Sequence, residues 1–460
     1  MTASLAGGLV WVVIQSIDPV EENIIAKTFR VLSTDNYKSA NASHATQVEP
    51  DSFSWESTIV MAVQTGRYYD GGCDNICWTT SKDGGISFPY KGCLPGLTFI
   101  AGGNYSRASD PSVAYDLKHN VWLISALALS LVPFKYGAAV ATSQSFDGGI
   151  TWQPPTFAAI VNTTSNLDKN WIVCDNTNTS IYFGHCYVQY DDFGARNLLL
   201  MTTSNNGGTN WTDPKPLANR STGFGGQPLV LPNGTVIVIA CDASCDNMIS
   251  YFSKTGGNSW SNSFQLSTLG SRDGLGNMRG PPFPSCEIAM DGRIFCVWTT
   301  CDLRYLPCLA NDLIYITSPD GENWSEKKLL PLPNKTGRTY FIPGLAVDRT
   351  TQGNTTLLGL TYYYADNCTD QSPFSSCELN VGFISSRNAA LNWTQPIILA
   401  GPFSSLDIAQ TSAGAMVGDY ISTSFNQKHQ AVPSFSIALA KKNLNVYQQP
   451  LCTSFLPIDV

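Results

Sequence analysis

Ser145-Phe146-Asp147-Gly148-Gly149-Ile150-Thr151-Trp152 decides the fold of this chain, because it recurs. Ser81-Lys82-Asp83-Gly84-Gly85-Ile86-Ser87-Phe88, Ser204-Asn205-Asn206-Gly207-Gly208-Thr209-Asn210-Trp211 and Ser253-Lys254-Thr255-Gly256-Gly257-Asn258-Ser259-Trp260 follow the same pattern. Two looser copies follow, Ser318-Pro319-Asp320-Gly321-Glu322-Asn323-Trp324 and Ser386-Arg387-Asn388-Ala389-Ala390-Leu391-Asn392-Trp393. Each reads as a tight hairpin. The Asp or Asn side chain caps the turn backbone, glycine supplies a positive φ, and the aromatic opens the next strand. One copy is any hairpin, but six copies roughly 50 to 68 residues apart imply repeated four-stranded units, and so a β-propeller.

Composition agrees with many short strands joined by turns. Charged residues make up 13% of the 460-residue chain, and there are 38 glycines and 51 aromatic side chains (11 Trp, 19 Tyr, 21 Phe). The net charge of −8 leaves no general basic surface for nucleic acid or an anionic membrane, so an anionic ligand needs a local Arg or Lys cluster. Fourteen cysteines point to disulfides, with Cys73/Cys77, Cys241/Cys245, Cys301/Cys308 and Cys368/Cys377 as close pairs within loops. Zinc is the competing reading for thiolates four apart, but no histidine pattern accompanies them. About a dozen Asn-x-Ser/Thr sequons, including Asn41, Asn104, Asn162, Asn233, Asn334 and Asn392, favour a secreted glycoprotein. The apolar stretch Leu5 to Ile14 is too short to span a membrane, and its lack of a basic flank favours a packed arm over a signal remnant.

Residues 1–460 read as one domain, with 1–40 as an N-terminal arm. Within that arm Ile24 to Thr34 is expected to be a strand that completes the last blade. Each later unit runs inner strand, turn, long apolar strand, variable loop, third strand, box. Aligning the units gives inner strands at Gln47–Asp51, Ser112–Asp116, Trp171–Asp175, Pro228–Pro232, Glu287–Asp291, Gly344–Asp348 and Ile421–Phe425. Seven inner strands against six boxes predict an all-β, seven-bladed propeller of four-stranded blades, stapled by disulfides. Cys174 and Cys186 are expected to face each other across two strands of the third blade.

The box turns resemble the Asp-box (BNR) repeats of sialidases and related carbohydrate enzymes, over about Ser43 to Ala438. The resemblance implies that the boxes mark the face away from the active site. The opposite face then carries the residues before each inner strand and the loops after each second strand, around a central channel. Those segments supply His44; Arg107 and Asp110; Asp168, Lys169 and Trp171; Gln227; Glu287; Arg338 and Tyr340; and Asp419 and Tyr420. The loops add Arg67 to Tyr69, Arg304, Tyr305 and Tyr364. One arginine of this kind can simply pin a loop. A ring rich in Arg, Lys, Tyr and Trp on an acidic protein points instead to an acidic sugar, with cations clamping its carboxylate and aromatics stacking on its ring. Of the four histidines, His119 and His429 fall in turns on the box face, His185 lies in an apolar strand, and His44 opens the first inner strand on the site face.

Two mechanisms fit this ring. In an eliminating lyase, His44 or Tyr340 removes the proton α to a uronate carboxylate or protonates the leaving oxygen, while Arg107 and a second Arg neutralise the carboxylate. In a hydrolase, two carboxyls flank the bond, or a Tyr activated by Glu attacks, with Glu287, Asp110 and Asp419 as candidates. Sialidases also carry an early Arg-Ile-Pro motif. The nearest strings here, Phe29-Arg30-Val31 and Phe341-Ile342-Pro343, depart from it. The finer resemblance is to fungal secreted L-rhamnose-α-1,4-D-glucuronate lyases, which have a seven-bladed propeller. It implies release of rhamnose caps from arabinogalactan side chains such as those of gum arabic. The expected catalytic set is His44, Arg107, Tyr340 and Glu287. The expected substrate contacts are Arg67, Asp110, Lys169, Trp171, Gln227, Arg304, Arg338, Tyr364, Asp419 and Tyr420. The expected partner is an acidic plant polysaccharide, met outside the cell by a monomer. No cofactor is assigned, and a structural metal ion in the central channel is left open. A non-catalytic lectin propeller is the third reading. It would repeat one sugar pocket per blade, whereas the segments before the inner strands differ from blade to blade.

Overall fold

The computed structural model describes residues 29–270, 275–303, 309–333, 337–369, 374–443 and 446–460. The box at Ser145 shows how the repeat works. Ser145 Oγ accepts from Gly149 N at 2.9 Å and donates to Asp147 Oδ1 at 2.8 Å. Asp147 Oδ1 also accepts from Ile150 N and Thr151 N, and the Thr151 hydroxyl donates to Oδ2 at 2.6 Å. Slight burial would raise the Asp147 pKa, but the Thr151 bonds outweigh it and hold the carboxyl down at about 2. Gly148 and Gly149 take φ of 80° and 84°, a region closed to most side chains. The Ser81, Ser204 and Ser253 boxes repeat the serine-to-amide bond. The last box keeps it from Ala390 N, with Ala389 and Ala390 held at φ of 55° and 64°.

Between boxes the chain forms antiparallel meanders. Four-stranded sheets begin at Leu167–Cys174, Gly223–Val230, Ser285–Ile288 and Thr339–Val347 and run outward in chain order. An eight-stranded sheet contains two more such meanders, starting at Ala42–Trp55 and Arg107–Asp116, joined through the single pair Cys73 and Ala108. The last sheet is built from both ends of the described chain, in the order Phe29–Ser33, Leu451–Ser454, Gln430–Ser436, Ser422–Phe425. The N-terminal strand is therefore outermost there. Its described part starts at Phe29, so the expected start at Ile24 lies outside the described residues. The third strand of that sheet, counted from the innermost, is Leu451–Ser454.

The apolar core lies between the faces of successive sheets, as in the cluster of Val60, Trp78, Ile124 and Trp152 or that of Ile237, Cys296, Trp298 and Ile314. Innermost strands are linked by side-chain hydrogen bonds: Val113 N to Asp51 Oδ2 at 2.7 Å, Leu345 N to Ser285 Oγ at 2.8 Å, and Thr423 Oγ1 to the Gly344 carbonyl at 2.7 Å. Ser52 on the first meets Ser422 and Ser424 on the last, each at 2.8 Å. Among the described residues no helix is long and apolar enough to cross a membrane.

Disulfides join Cys77–Cys93, Cys174–Cys186, Cys241–Cys245, Cys286–Cys296 and Cys368–Cys377. The expected Cys73/Cys77 pair is corrected. Both residues lie on the strand Cys73–Ser81, where about 3.3 Å of rise per residue holds them too far apart to bridge. Cys77 instead meets its cross-strand partner Cys93, and Cys73 is a buried free thiol. Cys308 lies outside the described residues.

Candidate functional site

The inner strands carry a repeated irregularity that builds the site. Register slips between Val48 and Asp51, Ser109 and Ser112, and Asp168 and Trp171. At the centre of each slip a residue sits in the left-handed region: Glu49 at φ 57°, Asp110 at 50° and Lys169 at 39°. For residues with a Cβ this costs of order 1–3 kcal/mol, and such bulges gather at functional sites. Gly225 and Ile342 occupy the corresponding places on the fourth and sixth inner strands, at φ of 70° and 49°.

The bulges at Glu49, Asp110 and Lys169 open onto a cleft of roughly 310 Å³ at the end of the sheets opposite the boxes. Arg67, Lys169 and Arg279 line it together with Glu49, Asp110, Asp168 and Asp419. Lys169, Phe283 and Asp419 also line a narrow channel below, of about 30 Å³, which is room for a water or two.

Arg279 grips Asp419 with both Nε and Nη2, the former bond 2.6 Å long. The Asp419 charge raises the Arg279 pKa further, so the guanidinium is permanently charged. Its Nη1 has no hydrogen bond among the described residues. Arg67 donates from Nη1 to Gln64 Oε1 at 3.0 Å, and its buried Nε is unpartnered. Lys169 holds its ammonium 4.1 Å from the ring centres of both Trp171 and Tyr420. Burial lowers the Lys169 pKa, with nearby Asp110 and Glu49 acting in the opposite sense. Among the described residues, no carboxylate lies within ion-pair distance of Arg67 or Lys169. The cleft therefore offers positive charge that the protein does not itself consume.

The acids are tuned upward. Glu49 is 1% exposed, and burial followed by repulsion from Asp110 and Asp419 raises its pKa well above the usual range. One of its oxygens accepts from Asp419 N at 3.3 Å, and the other has no partner. Asp168 reaches cleft water yet is surrounded by protein, and this crowding together with Asp110 lifts its pKa to about 6. Burial likewise pushes Asp51, beneath the cleft, up to about 6. Among the described residues no group of three or more His, Cys, Asp or Glu is arranged to hold a metal ion.

The structure brings Arg67, Asp110, Lys169 and Asp419 together in the cleft, with Trp171, Gln227 and Tyr420 along the channel beneath. Gln227 also clamps two inner strands, exchanging bonds of 2.9 and 2.8 Å with the Cys286 carbonyl and amide. The Tyr420 hydroxyl donates to the Pro111 carbonyl at 3.0 Å. Arg107 stands at the rim, bonded to Asp70 at 2.7 Å and stacked 3.8 Å from the Tyr68 ring centre.

Other expected residues point elsewhere. Tyr340 is 2% exposed, packs against Tyr362 and Tyr364, and donates to the Pro333 carbonyl at 2.6 Å. Arg338 binds Asp366 through two bonds of 2.7 and 2.8 Å beneath the same tyrosines. An apolar core claims Tyr340 because the strand Thr339–Val347 turns it away from the cleft, while Asp366 holds Arg338 just before that strand. Glu287 lines the narrow channel, where Arg349 pairs with it at 2.7 Å toward the box face. His44 lies on the strand Ala42–Trp55, but its side chain is outside the described residues, as is Arg304 altogether.

Glu49 and Arg279 were missed in the sequence. The signal for Glu49 is its acid-proline step, Glu49-Pro50, at the same strand position as Asp110-Pro111. That for Arg279 is its place just before the fifth inner strand, equivalent to Arg338 before the sixth.

No family model and no curated protein matches the chain. Among solved structures, a Dyadobacter fermentans protein of unknown function is 14% identical, with a TM-score of 0.50 over 78% of this chain and 99% of that one. A leech intramolecular trans-sialidase is 13% identical, with a TM-score of 0.49 over 73% of this chain and 67% of that one. The NanB sialidase of Streptococcus pneumoniae is 13% identical, with a TM-score of 0.46 over 97% of this chain and 73% of that one. At such identities the likeness speaks to the all-β fold alone.

Proposed function

We propose that this chain is a secreted carbohydrate-active enzyme, a seven-bladed propeller that cleaves the bond beside an acidic sugar held in the Arg67–Lys169–Arg279 cleft. One observation carries the reading: four cations, of which Arg67 and Lys169 have no ion-pair partner among the described residues, share a cleft with five carboxyl groups. The guanidinium groups suit a carboxylate ligand, and a charge-assisted bond of this kind contributes about 1.5–3 kcal/mol.

The described cleft supplies several carboxyl groups, with Tyr136 on its wall, and this acid-rich lining favours hydrolysis. Asp168, half protonated near pH 6, donates its proton to the leaving oxygen as the glycosidic bond breaks. Its neighbour Asp110 takes a proton from the attacking water, whose oxygen bonds to the anomeric carbon.

Elimination from a rhamnosyl-glucuronate end of an acidic plant polysaccharide is the second reading. The position of His44 favours it, since its neighbour Ser43 lies directly opposite Arg67. A base there removes the glucuronate C5 proton, and its electron pair forms the C4–C5 double bond. The C4–O bond breaks, and rhamnose leaves once its oxygen is protonated.

The test is ultraviolet absorbance during incubation with rhamnose-capped arabinogalactan and, separately, with sialosides, with released sugars analysed alongside. Sugar release without absorbance supports hydrolysis. Release with growing absorbance supports elimination, and His44→Ala then abolishes turnover without unfolding the chain. Release from neither substrate class overturns the acidic-sugar reading for these ligands.

A further inference from the structure

A second pocket, away from the cleft, lies on the box face between the third and fourth repeats. Its volume is about 260 Å³, just under the ~300 Å³ lower bound of drug-sized sites and so suited to a single sugar ring. Tyr182, His185 and Trp211 form its aromatic surfaces. Tyr182 meets His185 edge-on at 5.4 Å, and the Trp211 indole is fixed by its Nε1 bond to Thr142 Oγ1 at 3.0 Å. The remaining polar lining is mostly neutral. Asn205, Asn210 and Asn258 present amides, and the one cation, Lys215, donates to Asn258 Oδ1 at 2.8 Å. No carboxylate lines it. His185 Nδ1 is buried and unpartnered, as is the hydroxyl of Tyr187, whose ring lies 6.4 Å from that of His185. Flat apolar faces beside amides that both donate and accept match a neutral pyranose, with one apolar face and a rim of hydroxyls.

One wall of this pocket is also a sequon, Asn210-Trp211-Thr212. Asn210 is exposed, and its side-chain amide makes no hydrogen bond among the described residues; only its backbone is held, by Asn206 Oδ1 at 3.0 Å. At the same place in another box the Asn323 amide is tied to Asp320 Oδ2 at 2.7 Å. Asn210 is free where Asn323 is caged.

We propose that this pocket is a pyranose seat, filled by the first N-acetylglucosamine of a glycan on Asn210 or by a sugar ring of an external polysaccharide. In the first case the sugar comes from a lipid-linked oligosaccharide. Its C1 leaves the lipid diphosphate and bonds to Asn210 Nδ2, which loses a proton.

The experiment combines glycopeptide mass spectrometry of the full chain from a glycosylating host with saturation-transfer NMR. The NMR probes are methyl N-acetylglucosaminide and methyl rhamnoside, offered to wild type, Asn210→Gln and Tyr182→Ala. Occupied Asn210, with a pyranoside signal seen in Asn210→Gln but not in wild type, identifies the protein's own glycan. Bare Asn210, with a wild-type signal at least ten-fold weaker in Tyr182→Ala, identifies an external sugar. Absence of any pyranoside signal from both wild type and Asn210→Gln overturns the proposal. So does a signal that Tyr182→Ala leaves intact. Should Tyr182→Ala fail to fold, Asn205→Ala, altered at an exposed lining residue, replaces it.

Discussion

Asp51 offers a test that joins the architecture to its electrostatics. Its carboxylate is 5% exposed and accepts from Val113 N at 2.7 Å, joining the first inner strand to the second. Burial, opposed by the Val113 and Ser52 amides, raises its pKa from 3.8 to about 6. The folded chain thus holds this proton more tightly than the unfolded chain. Its contribution to stability is most favourable below about pH 4, declines as pH rises toward 6, and is then constant. A shift of about two units at 1.36 kcal/mol each corresponds to about 3 kcal/mol between the two plateaus. Asp51→Asn keeps an oxygen for Val113 N and removes the charge. The variant should match wild type near pH 4 and exceed it by about 3 kcal/mol at pH 8. With an unfolding entropy of about 2.1 cal/mol/K per residue, a chain of 460 residues converts this into a Tm gain of about 3 °C. Thermal melts at pH 4, 6 and 8 measure it. A variant no more stable than wild type at pH 8, relative to pH 4, would refute the view of Asp51 as a costly buried charge.

Three further outcomes follow from the site and the turns. Arg67→Gln should raise KM for an acidic substrate by roughly 10- to 100-fold, the loss of one charge-assisted bond, while leaving kcat within a few-fold; steady-state kinetics would show otherwise if Arg67 merely braces Gln64. With Asp168 as general acid, kcat/KM falls as pH rises through about 6, and Asp168→Asn lowers kcat by about 10²- to 10⁴-fold; a pH profile indifferent to that substitution removes Asp168 from the mechanism. Ala389→Gly should stabilise the chain by up to about 1 kcal/mol, because relief of the left-handed strain exceeds glycine's entropic cost; urea unfolding that shows a loss contradicts the strain assignment.

Much of the fold was legible because its determinants are local. A Ser, an Asx, two glycines and an aromatic within eight residues make their own turn, and repetition of that turn dictates repeated meanders. The Cys174–Cys186 bridge was legible for the same reason, since short strands joined by one turn place cross-strand partners opposite each other. The candidate site was legible only as a neighbourhood. Asp110, Lys169 and Asp419 were found from where inner strands begin, and Arg67 from where a second strand ends, because those positions set which end of the sheet a residue occupies.

Tertiary structure decided what local rules leave open. Arg279 finds Asp419 across 140 residues of chain, and no spacing announces such a pair. Whether Tyr340 faces the cleft or the core depends on the neighbouring strand, where Tyr362 and Tyr364 draw it into the core. Cys77 chose Cys93 over Cys73 once the segment proved to be a strand rather than a loop. The bulges that aim Glu49, Asp110 and Lys169 into one cleft are left-handed kinks tolerated because adjacent strands hold them. The sequence by itself determines the turns and the meanders between them, since those depend on residues close in the chain. The pairing of charges, and their shared burial, belong to the packed assembly, since both depend on distances that exist only after the sheets meet.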